Sequence, residues 1–306
     1  MKVYHQFAEA GNNVKNAVVT TGSFDGVHVG HKVIIDRLNE IARETGGESV
    51  LVTFSPHPRK VLYPDHKNMK LINSQEEKIE LLKKAGLQNL LIVRFTLEFS
   101  KTTSREFVSD MLVGELGARV VVVGHGHHFG YARQGDYSYL YGLGREMGFA
   151  VEEIPLKDIE NEVVSSTKIR KALSEGNIQR ANAYLDHQYI ITGALFPGLG
   201  NPLLPANPTI GIEVSAADKL IPPPGIYAGN LLAGKECLKC MIFIFDSPDS
   251  ERKVECFPVF DTVLPGARRG TLYFYKEIWR GNPLNMAELS EDTLSEARET
   301  VEELIY

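Results

Sequence analysis

Thr20-Thr21-Gly22-Ser23-Phe24-Asp25-Gly26-Val27-His28-Val29-Gly30-His31 joins a short apolar run, Ala17-Val18-Val19, to a segment where Ile34, Leu38 and Ile41 or Ala42 recur at helical spacing. It reads as strand, glycine-rich turn and helix start. Gly22, Gly26 and Gly30 let the backbone bend tightly and come close to a bound group. His28 and His31 stand at the mouth of the helix, where free backbone N–H groups and the dipole favour an anion. Two imidazoles aimed there can donate hydrogen bonds to phosphate oxygens as charge builds up in a displacement. The chemistry indicated is transfer at the α-phosphate of a nucleotide. A His-x-x-His pair also occurs as surface decoration or as half of a zinc site. No second Cys or His pair at helical or hairpin spacing completes such a site here.

Outward from this turn, Asn16 to about Asp186 alternates strand and helix. Val50-Leu51-Val52-Thr53-Phe54, Leu90-Leu91-Ile92-Val93, Val120-Val121-Val122-Val123-Gly124 and Phe149 to Ile154 are apolar runs of strand length. Between them, Ser74 with Glu77 and Thr103 with Glu106 form capping boxes that open helices. A further helix runs from about Leu140 to Met147. Repeated strand–helix–strand units predict an α/β fold with a doubly wound parallel sheet, whose ligands sit beyond the carboxyl ends of the strands. The histidine turn, the segment after Phe54 and the loop after Val123 all lie at such ends, so they should converge.

That last loop is Gly124-His125-Gly126-His127-His128-Phe129-Gly130-Tyr131-Ala132-Arg133-Gln134-Gly135-Asp136. Neighbouring histidines on an irregular loop rarely all reach one ion, so we assign it no metal. Its glycines shape a loop over a ligand, Phe129 offers an aromatic face, and Arg133 brings positive charge to phosphate. A third constellation, Val164-Ser165-Ser166-Thr167-Lys168-Ile169-Arg170, is either an ordinary helix N-cap or a second helix N-terminus that grips the same triphosphate.

At 306 residues, with 43% hydrophobic and 24% charged residues, the composition is globular. A net charge of −6 argues against a broad nucleic-acid surface. No run of ~18 apolar residues marks a membrane span, and the first residues have no apolar core of signal-peptide length. The expectation is a soluble cytoplasmic protein, monomeric or weakly self-associating. Cys237, Cys240 and Cys256 are expected as buried or edge thiols on strands rather than a metal or redox site.

Four ordered stretches resemble the motifs of the prokaryotic FAD synthetase family: Gly22 to His31, Thr53-Phe54-Ser55-Pro56-His57-Pro58, Phe129 to Asp136, and Ser165 to Arg170. Members are bifunctional, with an FMN adenylyltransferase module followed by a riboflavin kinase module. The resemblance covers about residues 14 to 186 and implies ATP and FMN as substrates, Mg²⁺ as the cofactor that shields the triphosphate, and FAD as product. It implies that His28 and His31 stabilise the transferring α-phosphate, and that Gly22, Ser23, Phe24, Asp25, Gly30, Ser166, Thr167 and Arg170 hold ATP. Phe54, Pro56, Pro58, His125, Phe129 and Arg133 would enclose FMN. One departure is Gly126, where the family carries Asn or Asp; that polar contact is either missing here or supplied by His125 or His127.

From residue 187 onward the texture changes to short strands between Pro- and Gly-rich turns, with a charged amphipathic helix from roughly Met286 to Leu304. This predicts a small antiparallel β-barrel with a C-terminal helix, so that 1–186 and 187–306 form two domains. By resemblance the barrel is a riboflavin kinase module in which Thr209, Glu255 and Arg280 persist. The family's metal-binding Asn is replaced by Gly211, its Tyr-Gly pair is Pro265-Gly266, and Pro202 and Pro205 break the nucleotide loop. The reading is an FMN adenylyltransferase with a degenerate kinase module. A fully bifunctional enzyme and a non-catalytic flavin- or nucleotide-binding protein are the alternatives.

Overall fold

The computed structural model describes residues 1–126, 128–155, 158–159, 162–198, 209–214, 216–247, 252–259, 266–283 and 289–304. The chain divides into two compact units. Unit 1 comprises Met1–Met69 and Lys78–Val164, and unit 2 comprises Lys70–Glu77 and Ser165–Tyr306. The second unit therefore takes in the helical segment before residue 187 that the sequence reading placed in the first domain.

Unit 1 is built on six parallel strands: β1 (Lys2–Tyr4), β2 (Ala17–Thr21), β3 (Glu48–Ser55), β4 (Asn89–Arg94), β5 (Ala118–Gly124) and β6 (Ala150–Ile154). Their order is β1-β4-β3-β2-β5-β6, with every neighbouring pair parallel. Val18, Val19, Val50, Val52, Leu90, Leu91 and Val122 are fully buried, as strands covered on both faces require. Each such side chain contributes roughly 1.5–3 kcal/mol by leaving water. The strand at Lys2–Tyr4 escapes the sequence reading because it is too short to show a pattern.

The helices Val29–Thr45 and Tyr137–Met147 belong to unit 1, and the helix Gln75–Lys84 starts in unit 2, which holds Glu77, and continues in unit 1 from Lys78. Helix α1 (Val29–Thr45) starts at His28 and ends at Gly46, whose left-handed φ of 62° closes it. It buries Ile35, Leu38, Ile41 and Ala42, and Arg37 ties it to β6 through a two-pronged bond to Glu152, at 2.6 and 3.1 Å. Helix α2 (Gln75–Lys84) begins with the expected box: Glu77 accepts from Ser74 N–H at 2.9 Å and donates its own N–H to Ser74 Oγ at 3.2 Å. The Thr103–Glu106 box is also formed, but the helix behind it widens, with Leu116 N–H bonding Met111 O five residues back. Helix α3 (Tyr137–Met147) is capped by Asp136, which accepts from Tyr139 N–H at 2.8 Å.

The chain visits β2, β3 and β4 on one side of the sheet and then crosses to β5 on the other flank of β2. The β2/β5 boundary is thus the switch point where a crevice opens at the carboxyl ends.

Beyond Lys70–Glu77, unit 2 contains α4 (Ser166–Ser174) and α5 (Ile178–Leu185) and closes a barrel of β9 (Tyr189–Pro197), β10 (Ile210–Glu213), β11 (Gly225–Ala233), β12 (Glu236–Asp246), β13 (Arg252–Pro258) and β14 (Arg269–Arg280), numbered after the two-residue strands β7 (Asp158–Ile159) and β8 (Glu162–Val163) of unit 1. All barrel pairs are antiparallel. The sequence reading missed β10, which is short and begins beside the proline-rich stretch. Helix α6 (Glu291–Leu304) packs Leu294, Ala297 and Val301 against Ile226, Met241 and Phe243. Cys240 and Cys256 are buried on neighbouring strands, whereas Cys237 is exposed. Burial and the adjacent Cys256 thiol push the Cys240 thiol well above its ordinary value.

Candidate active site

The turn after β2 is a strained piece of backbone. Gly26 takes φ 96°, which only glycine adopts without cost, but Phe24 (φ 46°) and Val27 (φ 43°) are also left-handed. Both are buried, Phe24 at 3% and Val27 at 0% exposure, so packing holds them there. The consequence is a three-ring stack. Phe24 lies on His31 with centroids 4.3 Å apart and planes 20° apart; His31 lies on His28 at 3.6 Å and 19°. His31 Nδ1 is buried and meets no hydrogen-bond partner among the described residues. Burial first, then His28, then Lys78, hold the His31 imidazole well below its ordinary value, so it is neutral near pH 7.

A cavity of about 720 Å³ opens at the switch point, and all three loops meet in it. Gly22, Ser23, Phe24 and His31 line one part; Phe54, Pro58, His125, Phe129 and Arg133 line another. Asp25, His28 and Gly30 stand outside its lining, with Asp25 and His28 buried. Pro56 is exposed and also outside the lining, so the structure does not bring it to the other predicted FMN residues. His127 lies outside the described residues.

The loop after β5 folds back on itself. Phe129 and Gly135 exchange both backbone hydrogen bonds, at 3.0 and 3.1 Å, and Tyr131 N–H reaches Thr102 O at 2.9 Å. Gly130 (φ 71°) presses against Ser104, where a Cβ would come within 2.5 Å of the Ser104 Cα, so no side chain fits. His125 Nδ1 sits 3.1 Å from Glu153 Oε1, which orients the ring at the cavity wall. Among the described residues, no three His, Cys, Asp or Glu side chains stand together as a metal ion would need.

Sequence reasoning missed the aromatic wall. Phe95, Phe99 and Phe107 join Phe54 and Phe129 in a chain of tilted and edge-on rings, with centroids 5.7 to 6.5 Å apart. The position of Phe95 just beyond β4, at a strand carboxyl end, was the available signal. Lys78 was missed as well: its Nζ donates to the Ser23 carbonyl at 2.9 Å.

In unit 2, Ser165 is the N-cap of α4, accepting from Lys168 N–H at 3.4 Å, with Ser166, Thr167 and Arg170 on the first turns behind it. In the barrel, Thr209 and Glu255 are buried beside Gly198, where a Cβ would meet Thr209 Oγ1 at 2.2 Å and Glu255 Oε2 at 2.8 Å. Arg280 is engaged structurally, bonded to Glu277 at 2.7 Å and to the Glu175 carbonyl just past α4. The residues read as the broken nucleotide loop, Asn201 to Pro208, lie outside the described residues, as does Pro265.

The family model for FAD synthetase matches residues 11–168, the stretch that contributes every residue lining the cavity. The chain belongs to the FAD synthetase family. It is an enzyme, a nucleotidyltransferase of the FMN adenylyltransferase class. The bifunctional riboflavin kinase/FMN adenylyltransferase of Listeria monocytogenes is 35% identical over 70% of this chain and 67% of its own length. That of Escherichia coli K12 is 31% identical over 71% and 69%. An FAD synthetase of the same Listeria strain is 32% identical over 68% of this chain and 86% of its own. The family match stops before the barrel. A solved structure titled macrolide-efflux protein, from Streptococcus pneumoniae, shares the fold over 99% of both chains, with a TM-score of 0.85 at 21% identity.

Proposed function

We propose that the chain makes FAD and pyrophosphate from FMN and ATP by in-line attack of the FMN phosphate on the α-phosphorus of ATP. The observation that carries this is the single cavity in which His31, stacked between Phe24 and His28, shares a wall with an aromatic cluster and Arg133. The aromatic side suits a planar isoalloxazine, and Arg133 suits its phosphate. His31 and His28 stand at the start of α1, where the transferring phosphoryl group would gain N–H donors and the helix dipole. The buried His31 Nδ1 is the kind of unmet polar atom that a substrate oxygen or bridging water would satisfy.

FMN phosphate is already an anion, so the reaction needs no strong general base. The protein's part is alignment and charge stabilisation. Mg²⁺ enters with ATP as part of the substrate and shields its triphosphate; no resident metal is assigned to the chain. Gly22, Ser23, Asp25 and Gly30 shape the nucleotide side. Gly126 gives up a polar contact that His125, backed by Glu153, replaces. The enzyme works in the cytoplasm as a monomer or weak homo-oligomer, without nucleic-acid or membrane partners. No helix among the described residues is long and apolar enough to cross a membrane.

We read the barrel as a kinase module without riboflavin kinase activity. A Cβ at Gly211 would meet the Phe196 ring at 2.2 Å, so an aromatic ring fills the space of the lost side chain. Incubating the protein with ATP, Mg²⁺ and either riboflavin or FMN, and separating the flavins, tests both halves: FMN yields FAD, and riboflavin persists.

A further inference from the structure

Lys78 is a buried lysine on α2, 5% exposed, that no sequence motif singles out. A buried ammonium survives only where acceptors replace its water. One acceptor here is the Ser23 carbonyl, 2.9 Å from Nζ, which also accepts from Thr53 Oγ1 at 3.2 Å. Two donors on one carbonyl fix the plane of the Ser23–Phe24 peptide. The ammonium is the stronger of the two, being charged.

The next residue is Phe24, with its left-handed φ of 46°. Such a conformation persists in a residue other than glycine only where its surroundings over-determine it. If the Ser23–Phe24 peptide turned, Phe24 would relax to negative φ and its ring would leave His31, 4.3 Å away. Gly22 belongs to the same arrangement, because a Cβ there would press on the Phe24 ring at 3.0 Å.

We propose that Lys78 is a positioning residue for adenylyl transfer: by fixing the Ser23 carbonyl it holds Phe24 left-handed, and so holds the stack that sets His31 in the cavity wall. The proposal rests on the reading of the reaction given above. Its charge acts in the same direction. Burial, then His28 on the same turn, then Lys78 from α2 keep His31 unprotonated. Asp25 is also buried in this turn, and Lys32 follows on the first turn of α1.

The test compares wild type with Lys78→Met and Lys78→Arg by NMR of ring-labelled histidine in the ligand-free protein, and by steady-state FAD formation. In wild type the His31 ring signals carry a ring-current shift from Phe24 and titrate below the ordinary histidine range. Lys78→Met should abolish the shift, move the titration up, and lower kcat about tenfold or more while the KM for ATP changes less than about threefold. Lys78→Arg should retain both signals and most of the turnover. Thr53→Val, a milder loss from the same carbonyl, should move the His31 signals part of the way and serves if Lys78→Met does not fold. Unchanged His31 signals and titration in Lys78→Met, or in Thr53→Val where it stands in, would overturn the proposal, even if stability fell. A wild type that makes no FAD yet loses its His31 shift in Lys78→Met would refute the reaction and support the positioning.

Discussion

The ring of Phe196 on β9 covers Gly211 on β10, its register partner, so closely that any side chain at 211 must displace it. Restoring an asparagine there should therefore fail to restore a kinase. Gly211→Asn alone, and Gly211→Asn with Phe196→Ala, are expected to leave riboflavin unphosphorylated in the presence of ATP and Mg²⁺. Transfer to a neutral hydroxyl needs a phosphate-holding loop as well as a base. Conversion of riboflavin to FMN by the wild type, lost on Glu255→Gln, would instead establish a working bifunctional enzyme.

Replacing His28 or His31 with Ala should lower FAD turnover by about 10²-fold or more, the scale for losing one transition-state donor. ATP binding, followed by isothermal titration, should weaken far less. A double variant with near-normal turnover would remove the histidines from the chemistry.

His31 also predicts a pH dependence of stability. Its folded-state value is depressed by burial, His28 and Lys78, while in the unfolded chain it takes a proton near its ordinary ~6.5. Between those two values the unfolded state binds more protons, so stability rises with pH. The His31 contribution is complete above pH ~6.5 and declines as pH falls below it. Urea midpoints of wild type and His31→Phe between pH 5 and 7.5 should diverge in that sense, with wild type losing more on acidification. Parallel curves would contradict it.

Lys219 lies inside unit 2 with its ammonium 2.6 Å from Glu77 Oε2, both side chains fully buried. It also donates to the Ile72 and Ile190 carbonyls at 2.6 and 2.7 Å and sits 4.4 Å from the centre of the Tyr189 ring. The other Glu77 oxygen accepts from Thr192 N–H at 2.8 Å. Lys219→Met strands a buried carboxylate and should cost about 3–5 kcal/mol. Denaturant unfolding measures this, and a loss within ~0.5 kcal/mol, the range of an ordinary surface substitution, would show the pair to be dispensable.

How much of this was legible before the structure depends on the range of the interactions. The β2 turn, both capping boxes and the parallel strands are local patterns, and the sequence displayed them openly. Convergence of the three loops followed from strand polarity alone. The aromatic wall did not, because Phe107 stands at an apolar helical position and reads as core, while Phe95 and Phe99 carry no motif. Lys78 reads as one charge on an amphipathic helix; only the fold brings it to Ser23, 55 residues away. Phe196 was invisible for the same reason, since β-barrel register, not spacing, sets it over Gly211. Pro56 went the other way: it belongs to a motif, yet its side chain is exposed outside the cavity.

The most direct test of the central claim is chromatographic. Purified protein with FMN, ATP and Mg²⁺ should release pyrophosphate and FAD in equal amounts, and His31→Ala should nearly abolish both. Unreacted FMN as the sole flavin, over a range of pH and divalent metals, would contradict the account.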